Sequence, residues 1–177
     1  MRVISGYLKG QNFTNSSNST HPMSEKIRGG LFNILGDIVD LTLLDCYGGT
    51  GAISYEAISR GAKSAVVVES NKKAQRCITD NIMNLKLESK VRLVDSTVND
   101  FIDKYHGELF DFIVCDPPFD QPIDNKTILR LEKLVSSPGL LILSLPINSI
   151  NMNFEALSVI KEKVYGDARL VFFRRKI

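Results

Sequence analysis

Short apolar runs alternate with amphipathic stretches from residue 41 onward, and this alternation constrains the fold more than any other feature of the sequence. The runs are almost continuously apolar, as in strands that are buried on both faces of a sheet. When helices separate such strands, the strands form a parallel sheet that the helices cover through right-handed crossovers. We therefore predict an α/β fold with a mostly parallel sheet, whose strands lie at 41–46, 64–69, 91–94, 110–115 and 139–145.

The rest of the chain after residue 41 completes this architecture. Residues 154–164 and 168–174 flank a turn at 165–167, which predicts an antiparallel C-terminal hairpin and brings the sheet to seven strands. Residues 1–177 contain no internal repeat and no sign of a second core, so we predict a single domain. Helices are predicted at 52–60, 71–85, 97–105 and 128–135.

An extension to this core is predicted at residues 1–22. Residues 2–13 read as a short strand, a Ser-Gly turn and a second short strand, which suggests a small hairpin that carries Arg2 and Lys9. A polar stretch without periodicity follows at 15–20, and we predict a flexible loop there.

A short helix is predicted between the extension and the sheet. Ser24 is suited to cap its N-terminus, and Lys26 and Arg28 are expected to lie outside its apolar face. Gly29 and Gly30 weaken this helix by about 1 kcal/mol each relative to alanine, so a constraint other than helix propensity must favour glycine there. The apolar face is predicted to contain Ile27, Leu31, Phe32 and Leu35.

Composition excludes several classes of protein. Hydrophobic residues make up 44% of the chain and charged residues 24%, and no apolar run approaches the ~20 residues of a membrane span. The first residues lack the long apolar stretch of a secretory signal, so we expect a cytoplasmic protein. The net charge of +2 permits a nucleic-acid partner without requiring one.

Cysteine and histidine usage argues against disulfides and metal sites. Cys46, Cys77 and Cys115 form an odd set without C-x-x-C spacing, and two of them lie in predicted strands. They are therefore expected to be buried free thiols. With two histidines in the chain, no convincing metal site can be assembled, and we expect no metal.

Acidic residues stand at the ends of the first four predicted strands: Asp45, Glu69, Asp95 and Asp116. A doubly wound sheet binds its ligand at these strand ends, where the strand order reverses. The glycine loop at 48–51 allows a ligand to approach the backbone closely, and an acid ending the second strand suits a ribose diol. These two features also fit a nicotinamide-dependent oxidoreductase, which has no obvious use for the fourth acid.

The fourth strand leads into Asp116-Pro117-Pro118-Phe119. The two prolines lack N–H groups and end the strand, leaving their carbonyl groups free to accept hydrogen bonds. A carboxylate, free carbonyl groups and an aromatic ring suit a planar amine that is stacked on the ring. The alternative is a turn with an acidic helix cap, and these four residues alone do not decide between the two.

Together these motifs resemble a known family. The run from Leu44 to Gly51, then Glu69, then the Asp116 corner are similar to class I S-adenosylmethionine-dependent methyltransferases that act on amino nitrogen, with their Rossmann-like fold. The segments 2–6, 9–10, 22–28 and 31–33 narrow the resemblance to the RsmD type, the bacterial 16S rRNA guanine-N2 methyltransferases. The resemblance covers essentially the whole chain, and its N-terminal part is the more specific.

The resemblance implies roles for the residues at the strand ends. Asp116 and the Pro117 carbonyl would accept hydrogen bonds from the guanine amine beside Pro118, while Phe119 stacks on the base. Glu69 and Ser70 would lie against the ribose of S-adenosyl-L-methionine, which becomes S-adenosyl-L-homocysteine in the reaction. The methionine part and the adenine edge of this donor would contact Asp45, Tyr47, Gly48, Gly49, Thr50, Gly51, Asp95 and Ser96.

The resemblance also implies a 16S rRNA partner, either free or within an assembling small ribosomal subunit, and we expect a monomer. Residues 1–22 would face the RNA. The family usually has arginine where His21 stands and glutamate where Gly29 stands, so donor affinity, RNA affinity and the target nucleotide remain open. Phosphate contacts on a shared RNA face are expected from Arg2, Lys9, Lys26, Arg28, Arg174, Arg175 and Lys176.

Three alternatives remain open at this point. The amine could belong to DNA adenine or to a protein side chain, because the acidic corner serves several such enzymes. The glycine loop could hold NAD. The departures at His21 and Gly29 could mark an RNA-binding protein that has lost catalysis.

Overall fold

The computed structural model describes residues 1–15, 23–118, 121, 123–149 and 154–176. The flexible loop predicted at 15–20, apart from Asn15, and His21 lie outside the described residues, so those predictions are not tested. In the described part of the chain, no helix is long and apolar enough to cross a membrane.

Seven strands and five helices alternate along the described chain, and their order confirms the predicted α/β fold. The helices are α1 (Glu25–Leu35), α2 (Ala52–Ser59), α3 (Lys72–Asn84), α4 (Val98–Lys104) and α5 (Asn125–Glu132). The strands are β1 (Thr42–Asp45), β2 (Ser64–Glu69), β3 (Val91–Asp95), β4 (Phe110–Cys115), β5 (Val135–Pro146), β6 (Leu157–Tyr165) and β7 (Ala168–Arg175).

All seven strands form one sheet in the order β3-β2-β1-β4-β5-β7-β6. The first five strands in this order are parallel, whereas β7 is antiparallel to both β5 and β6. The predicted mostly parallel sheet with an antiparallel C-terminal hairpin is therefore confirmed. The strand order reverses between β1 and β4, so the carboxyl ends of these two strands form the switch point at which such sheets bind ligands.

The two faces of the sheet are covered by different helices. α1, α2 and α3 pack on the face that we call the α1 face, and α4 and α5 pack on the opposite, α5 face. Successive side chains of a strand point to opposite faces, so each apolar run supplies both cores. The α1 face buries Leu43, Phe112, Val114, Ile142, Leu170 and Phe172, and the α5 face buries Leu44, Ile113, Cys115, Leu143, Val171 and Phe173.

The start of α1 agrees with the prediction from the sequence, whereas the start of β5 does not. The Ser24 side chain accepts a hydrogen bond from the Ile27 N–H, as expected for the N-cap of α1. The fifth strand, however, begins at Val135 rather than at residue 139, and the preceding helix ends earlier than predicted. Ser136-Ser137-Pro138 has the composition of a loop, but Val135 pairs with Phe110 of β4 and extends the strand.

The N-terminal hairpin is part of the core. Its two arms form one β-bridge, between Arg2 and Asn12, and further backbone hydrogen bonds join Met1 to Phe13 and Val3 to Gln11. The predicted small hairpin is therefore present, although its arms pair over too short a length to form full strands. Val3, Leu8 and Phe13 are buried on the α1 face. The hairpin therefore contributes apolar side chains to the domain rather than only facing outward.

Arg28 corrects the prediction for the first helix. Its side chain was expected outside the apolar face, but Arg28 and Glu56 are each 0% exposed. The Glu56 carboxylate accepts hydrogen bonds from the Ile4 and Ser5 N–H groups at 2.8 and 3.0 Å, and it lies 3.7 Å from Arg28 Nε. Arg28 also donates to the Arg2 carbonyl at 2.7 Å. The guanidinium therefore ties the hairpin to α1 and is not available to phosphates.

A close approach explains glycine at position 30. An added Cβ at Gly30 would lie 1.9 Å from the Tyr165 hydroxyl, whereas the space around Gly29 is open. α1 therefore packs directly against the end of β6. Gly30 weakens the helix, but a larger residue at this position would clash with Tyr165.

Candidate active site

Asp45, at the carboxyl end of β1, is a buried and incompletely paired carboxylate. It is 1% exposed; Oδ2 accepts a hydrogen bond from Ser54 Oγ at 2.9 Å, and Oδ1 has no partner among the described residues. Burial raises the pKa of Asp45 well above its usual range, and the charges of Asp116 and Glu69 raise it further. An orphaned buried oxygen of this kind calls for a hydrogen-bond donor from outside the chain.

The glycine loop after β1 has a shape that larger residues would not allow. An added Cβ at Gly48 would lie 2.4 Å from Val67 Cγ1 in the core. Gly51 has a φ of 81° and donates from its N–H to the Gly48 carbonyl at 2.7 Å. Thr50 is buried within the loop and Tyr47 is half-buried at its start. The backbone of the loop is therefore held close against β2.

Glu69, at the end of β2, is fixed between two loops. Its Oε2 accepts from the Gly49 N–H and its Oε1 from the Asn71 N–H, both at 2.8 Å. Each carboxylate oxygen has a further lone pair for a second donor. The side chain is therefore oriented in advance beside the glycine loop.

Asp95, at the end of β3, is paired with residues of α3. Gln75 Nε2 donates to Oδ1 at 2.6 Å, and the Lys72 ammonium contacts Oδ2. The hydrogen bonds from Lys72 and Gln75 lower the pKa of Asp95. The neighbouring Ser96 N–H donates to the Glu69 carbonyl at 3.2 Å, which joins the ends of β2 and β3.

Asp116 and Pro117 follow β4 and are half-buried. Burial raises the pKa of Asp116, while a hydrogen bond with the Ser144 side chain acts in the opposite direction. The Pro118 carbonyl accepts from the Gln121 N–H at 2.9 Å, and within the described part of the chain the Pro117 carbonyl accepts none. Phe119, predicted to stack on a base, lies outside the described residues.

Three of the four acids end neighbouring strands. Asp45 pairs with Val67 of β2 and with Val114 of β4, so Glu69 and Asp116 each follow its row by two residues on either side of it. Asp95 stands at the outer strand of the same edge, opposite Glu69 in the β2–β3 register. The edge therefore presents carboxylates and free backbone groups to a ligand.

The predicted basic residues do not form one face. Arg2 pairs with Glu25 at 3.3 Å, and Lys26 is exposed, both near the start of α1. Arg174 pairs with Leu140 in the middle of β5, on the row of Phe112, about 13 Å along the strand from Asp116. The seven basic residues therefore do not all lie on one exposed face, because Arg28 is buried, and a shared RNA face for Arg2, Lys26 and Arg174 stays a prediction.

Two further basic candidates have other positions. Arg175 donates from one nitrogen to the carbonyl groups of Glu132 and Val135 at 3.0 and 2.7 Å, which stabilises the C-terminal end of α5. Lys9 lies near the tip of the hairpin, where the Tyr7 N–H donates to the Ser59 carbonyl at the C-terminal end of α2. Both therefore lie away from the strand ends that hold Asp45 and Asp116.

Several polar residues of the site were not assigned a role from the sequence. Ser54 donates to Asp45, and Ser144 lies level with Asp116 on the next strand. Ser144 did carry a signal, because it is the one hydroxyl in the predicted strand 139–145. Ser54 could be found only by its position where a nucleotide-binding loop would have glycine. Gln75 gives no such signal, since it resembles any polar residue on a helix surface.

Comparisons with known proteins show which family the chain belongs to. The profile of the family described as Conserved hypothetical protein 95 matches residues 1–174. Ribosomal RNA small subunit methyltransferase D of Escherichia coli strain K12 is 32% identical over 134 residues, which cover 75% of this chain and 67% of that protein. The protein of the same name from Buchnera aphidicola of Acyrthosiphon pisum is 34% identical, over 73% of this chain and 69% of its own.

Solved structures agree with the sequence comparisons. The structure of the Escherichia coli protein yhhF superimposes with a TM-score of 0.89 at 28% identity, and the match covers 99% of this chain and 98% of that chain. The fold is the Rossmann-like fold of methyltransferases, with the strand order described above. The chain therefore belongs to the family described as Conserved hypothetical protein 95, the RsmD family.

Proposed function

We propose that the chain methylates the exocyclic N2 amine of a guanine in 16S rRNA with S-adenosyl-L-methionine as donor. The observation that carries the proposal is the position of two consecutive acceptors after β4, beside the buried carboxylate of Asp45. These acceptors are the Asp116 carboxylate and the Pro117 carbonyl, which accepts no hydrogen bond from the described residues. This pair is suited to accept from the two hydrogens of an amine. The names of the Escherichia coli and Buchnera relatives support small-subunit rRNA as the class of substrate.

The residues present fit the donor. The unpartnered Oδ1 of Asp45 would accept from its ammonium group, and the backbone of the glycine loop would lie against its methionine part. Glu69 has lone pairs for the ribose hydroxyls, while Asp95 and Ser96 lie at the strand end where adenine would bind. When bound, S-adenosyl-L-methionine supplies an electrophilic methyl group on a sulfonium centre.

Asp116 and Pro117 would prepare the amine for reaction. The lone pair of an exocyclic amine is delocalised into the ring, so the nitrogen is a poor nucleophile. Hydrogen bonds from its two N–H groups to Asp116 and to the Pro117 carbonyl favour a pyramidal nitrogen and orient the lone pair. Because burial raises the pKa of Asp116, its carboxylate also accepts a proton more readily than an exposed aspartate does.

The base must leave its stack in folded RNA to reach Asp116, and flipping of this kind is usual for enzymes that modify bases. Phe119 would stack on the extruded base in this proposal. The energy needed is smallest for a base in a loop or at a helix end, so we propose such a guanine as the target.

Replacement of Asp45 by asparagine is expected to stabilise the donor-free protein and to weaken donor binding. The raised pKa means that folding favours the protonated carboxyl, so the stability that this group contributes is present at low pH and is lost as pH rises through the raised pKa. Asparagine carries no such charge, and it loses the attraction for an ammonium group. Thermal unfolding from pH 5 to 9 and calorimetric donor titration would measure both effects. A variant with unchanged donor affinity would show that Asp45 does not contact the donor.

Mass mapping of modified nucleotides tests the proposed reaction. The protein is incubated with labelled donor and with unmethylated 16S rRNA, immature small subunits, DNA or a protein mixture. We expect a single N2-methylguanine in the rRNA. Label that enters only DNA or protein would contradict the proposed substrate, and NAD binding without donor binding would contradict the reaction.

A further inference from the structure

The register of the sheet links Asp116 to the outermost strand. Cys115 pairs with Leu143, so Asp116 is level with Ser144 on the neighbouring strand. Ser144 pairs with Leu170, and Leu170 pairs with Lys163 of β6. Lys163 therefore stands on the same row as Asp116, three strands away, at a distance of about 14 Å.

Lys163 and Lys161 point to the same face of the sheet as Asp116. Residues that pair directly across strands point to the same face, and the partners of Lys163 and Lys161 are Leu170 and Phe172 of the α1 face. By alternation from Val114, which is also on this face, Asp116 points to it as well. The two lysines and Asp116 therefore lie on the same side of the sheet, which is the side that α1 covers.

α1 adds a third lysine to this surface. The contact between Gly30 and the Tyr165 hydroxyl places α1 beside the end of β6, two residues beyond Lys163. Lys26, in the first turn of α1, is exposed, as are Lys161 and Lys163. We call these three residues the basic strip.

The lysines of the basic strip form no salt bridge within the described part of the chain. None of the salt bridges among the described residues includes Lys26, Lys161 or Lys163. Glu162, between the two lysines of β6, points to the opposite face and pairs with Arg169 at 3.4 Å. The turn that follows β6 contains one acidic residue, Asp167.

We propose that the basic strip binds the phosphate backbone of the RNA whose base enters the site at Asp116. The proposal rests on the proposed function. It takes Lys163, which is level with Asp116, and the nearby Lys161 in place of Arg175, whose guanidinium is bound to the end of α5. A phosphate backbone fits because the strip is cationic and exposed and continues the active-site edge. Such contacts orient the RNA without reading its sequence.

Titration of a fluorescently labelled 16S rRNA transcript at several salt concentrations tests this proposal. The variant Lys161→Gln/Lys163→Gln is expected to bind the transcript about tenfold or more weakly at 0.1 M salt. The slope of log affinity against log salt should fall in magnitude by about 1.5, because two phosphate contacts are lost. Donor affinity, measured by calorimetry, should not change, since neither lysine lies at the donor loop.

The matched control is Lys104→Gln/Lys133→Gln, which removes the same charge from exposed positions at the C-terminal ends of α4 and α5, on the opposite face of the sheet. It is expected to retain most of the RNA affinity. Equal losses in the two double variants, or a loss only in the control, would overturn the basic strip while leaving the proposed reaction intact. Failure of the unaltered protein to bind or methylate the transcript would overturn the RNA substrate itself. Loss of binding to assembled subunits but not to the transcript would assign the strip to a protein partner and contradict the proposal.

Discussion

Asp116→Asn is expected to lower the rate of methyl transfer to small-subunit rRNA by about 100-fold to 1,000-fold, the usual cost of losing one group that stabilises developing charge. Asparagine has almost the same shape, but its amide nitrogen donates where the amine needs an acceptor. The remaining carbonyl oxygen is a weaker acceptor than a carboxylate. Asp116 is not among the residues that would hold the donor, so the affinity for S-adenosyl-L-methionine should be retained.

The measurement combines single-turnover transfer of labelled methyl groups with calorimetric donor titration. Asp80→Asn is a matched control, because it makes the same chemical change at an exposed position of α3. The unaltered protein should also gain activity as pH rises through the raised pKa of Asp116, since only the carboxylate accepts from the amine. A variant that turns over at the normal rate would show that Asp116 does not hold the reacting amine.

Glu56→Ala is expected to destabilise the protein by about 3 to 5 kcal/mol, which is typical when one partner of a buried ion pair is removed. Arg28 would then lie buried without its counter-charge, and burial already lowers the pKa of Arg28 despite the nearby Glu56 charge. The Ile4 and Ser5 N–H groups would also lose their acceptor. Denaturant unfolding, followed by circular dichroism, measures the loss.

Two further variants show whether the buried charge is the cause. Glu88→Ala, at an exposed position, should leave the free energy of unfolding nearly unchanged. Glu56→Gln combined with Arg28→Met should be more stable than Glu56→Ala, because it removes the charge yet keeps an acceptor for the hairpin. A loss below about 1 kcal/mol in Glu56→Ala, the size seen for surface pairs, would contradict the structural role.

The fold was largely predictable from the sequence because its strands contribute side chains to two cores, one on each face of the sheet. A run such as Phe112-Ile113-Val114 must be buried on both faces, and this requirement limits the possible sheets before any long-range contact is known. The start of β5 was not predictable, because Ser136 and Pro138 have loop composition and lie in an irregularity of the β4–β5 pairing, between the paired residues Val135 and Leu140.

The acids of the candidate active site could be found from the sequence as strand-end residues, but their partners could not. Asp45 and Asp116 could be found because each ends an apolar run, which places it at the edge of the sheet. The pairing of Arg28 with Glu56 could not be found, because the partners are on different helices and an arginine in an amphipathic helix usually faces water.

The buried side chains of the N-terminal hairpin affect how substrate-recognition variants must be interpreted. Val3, Leu8 and Phe13 belong to the same core as β1 and β4, so the hairpin and the catalytic sheet should unfold in one cooperative transition. A substitution that loosens the hairpin would lower RNA binding, donor binding and solubility together. A loss of RNA affinity in this segment therefore reports a lost contact only when the melting temperature of the variant is unchanged.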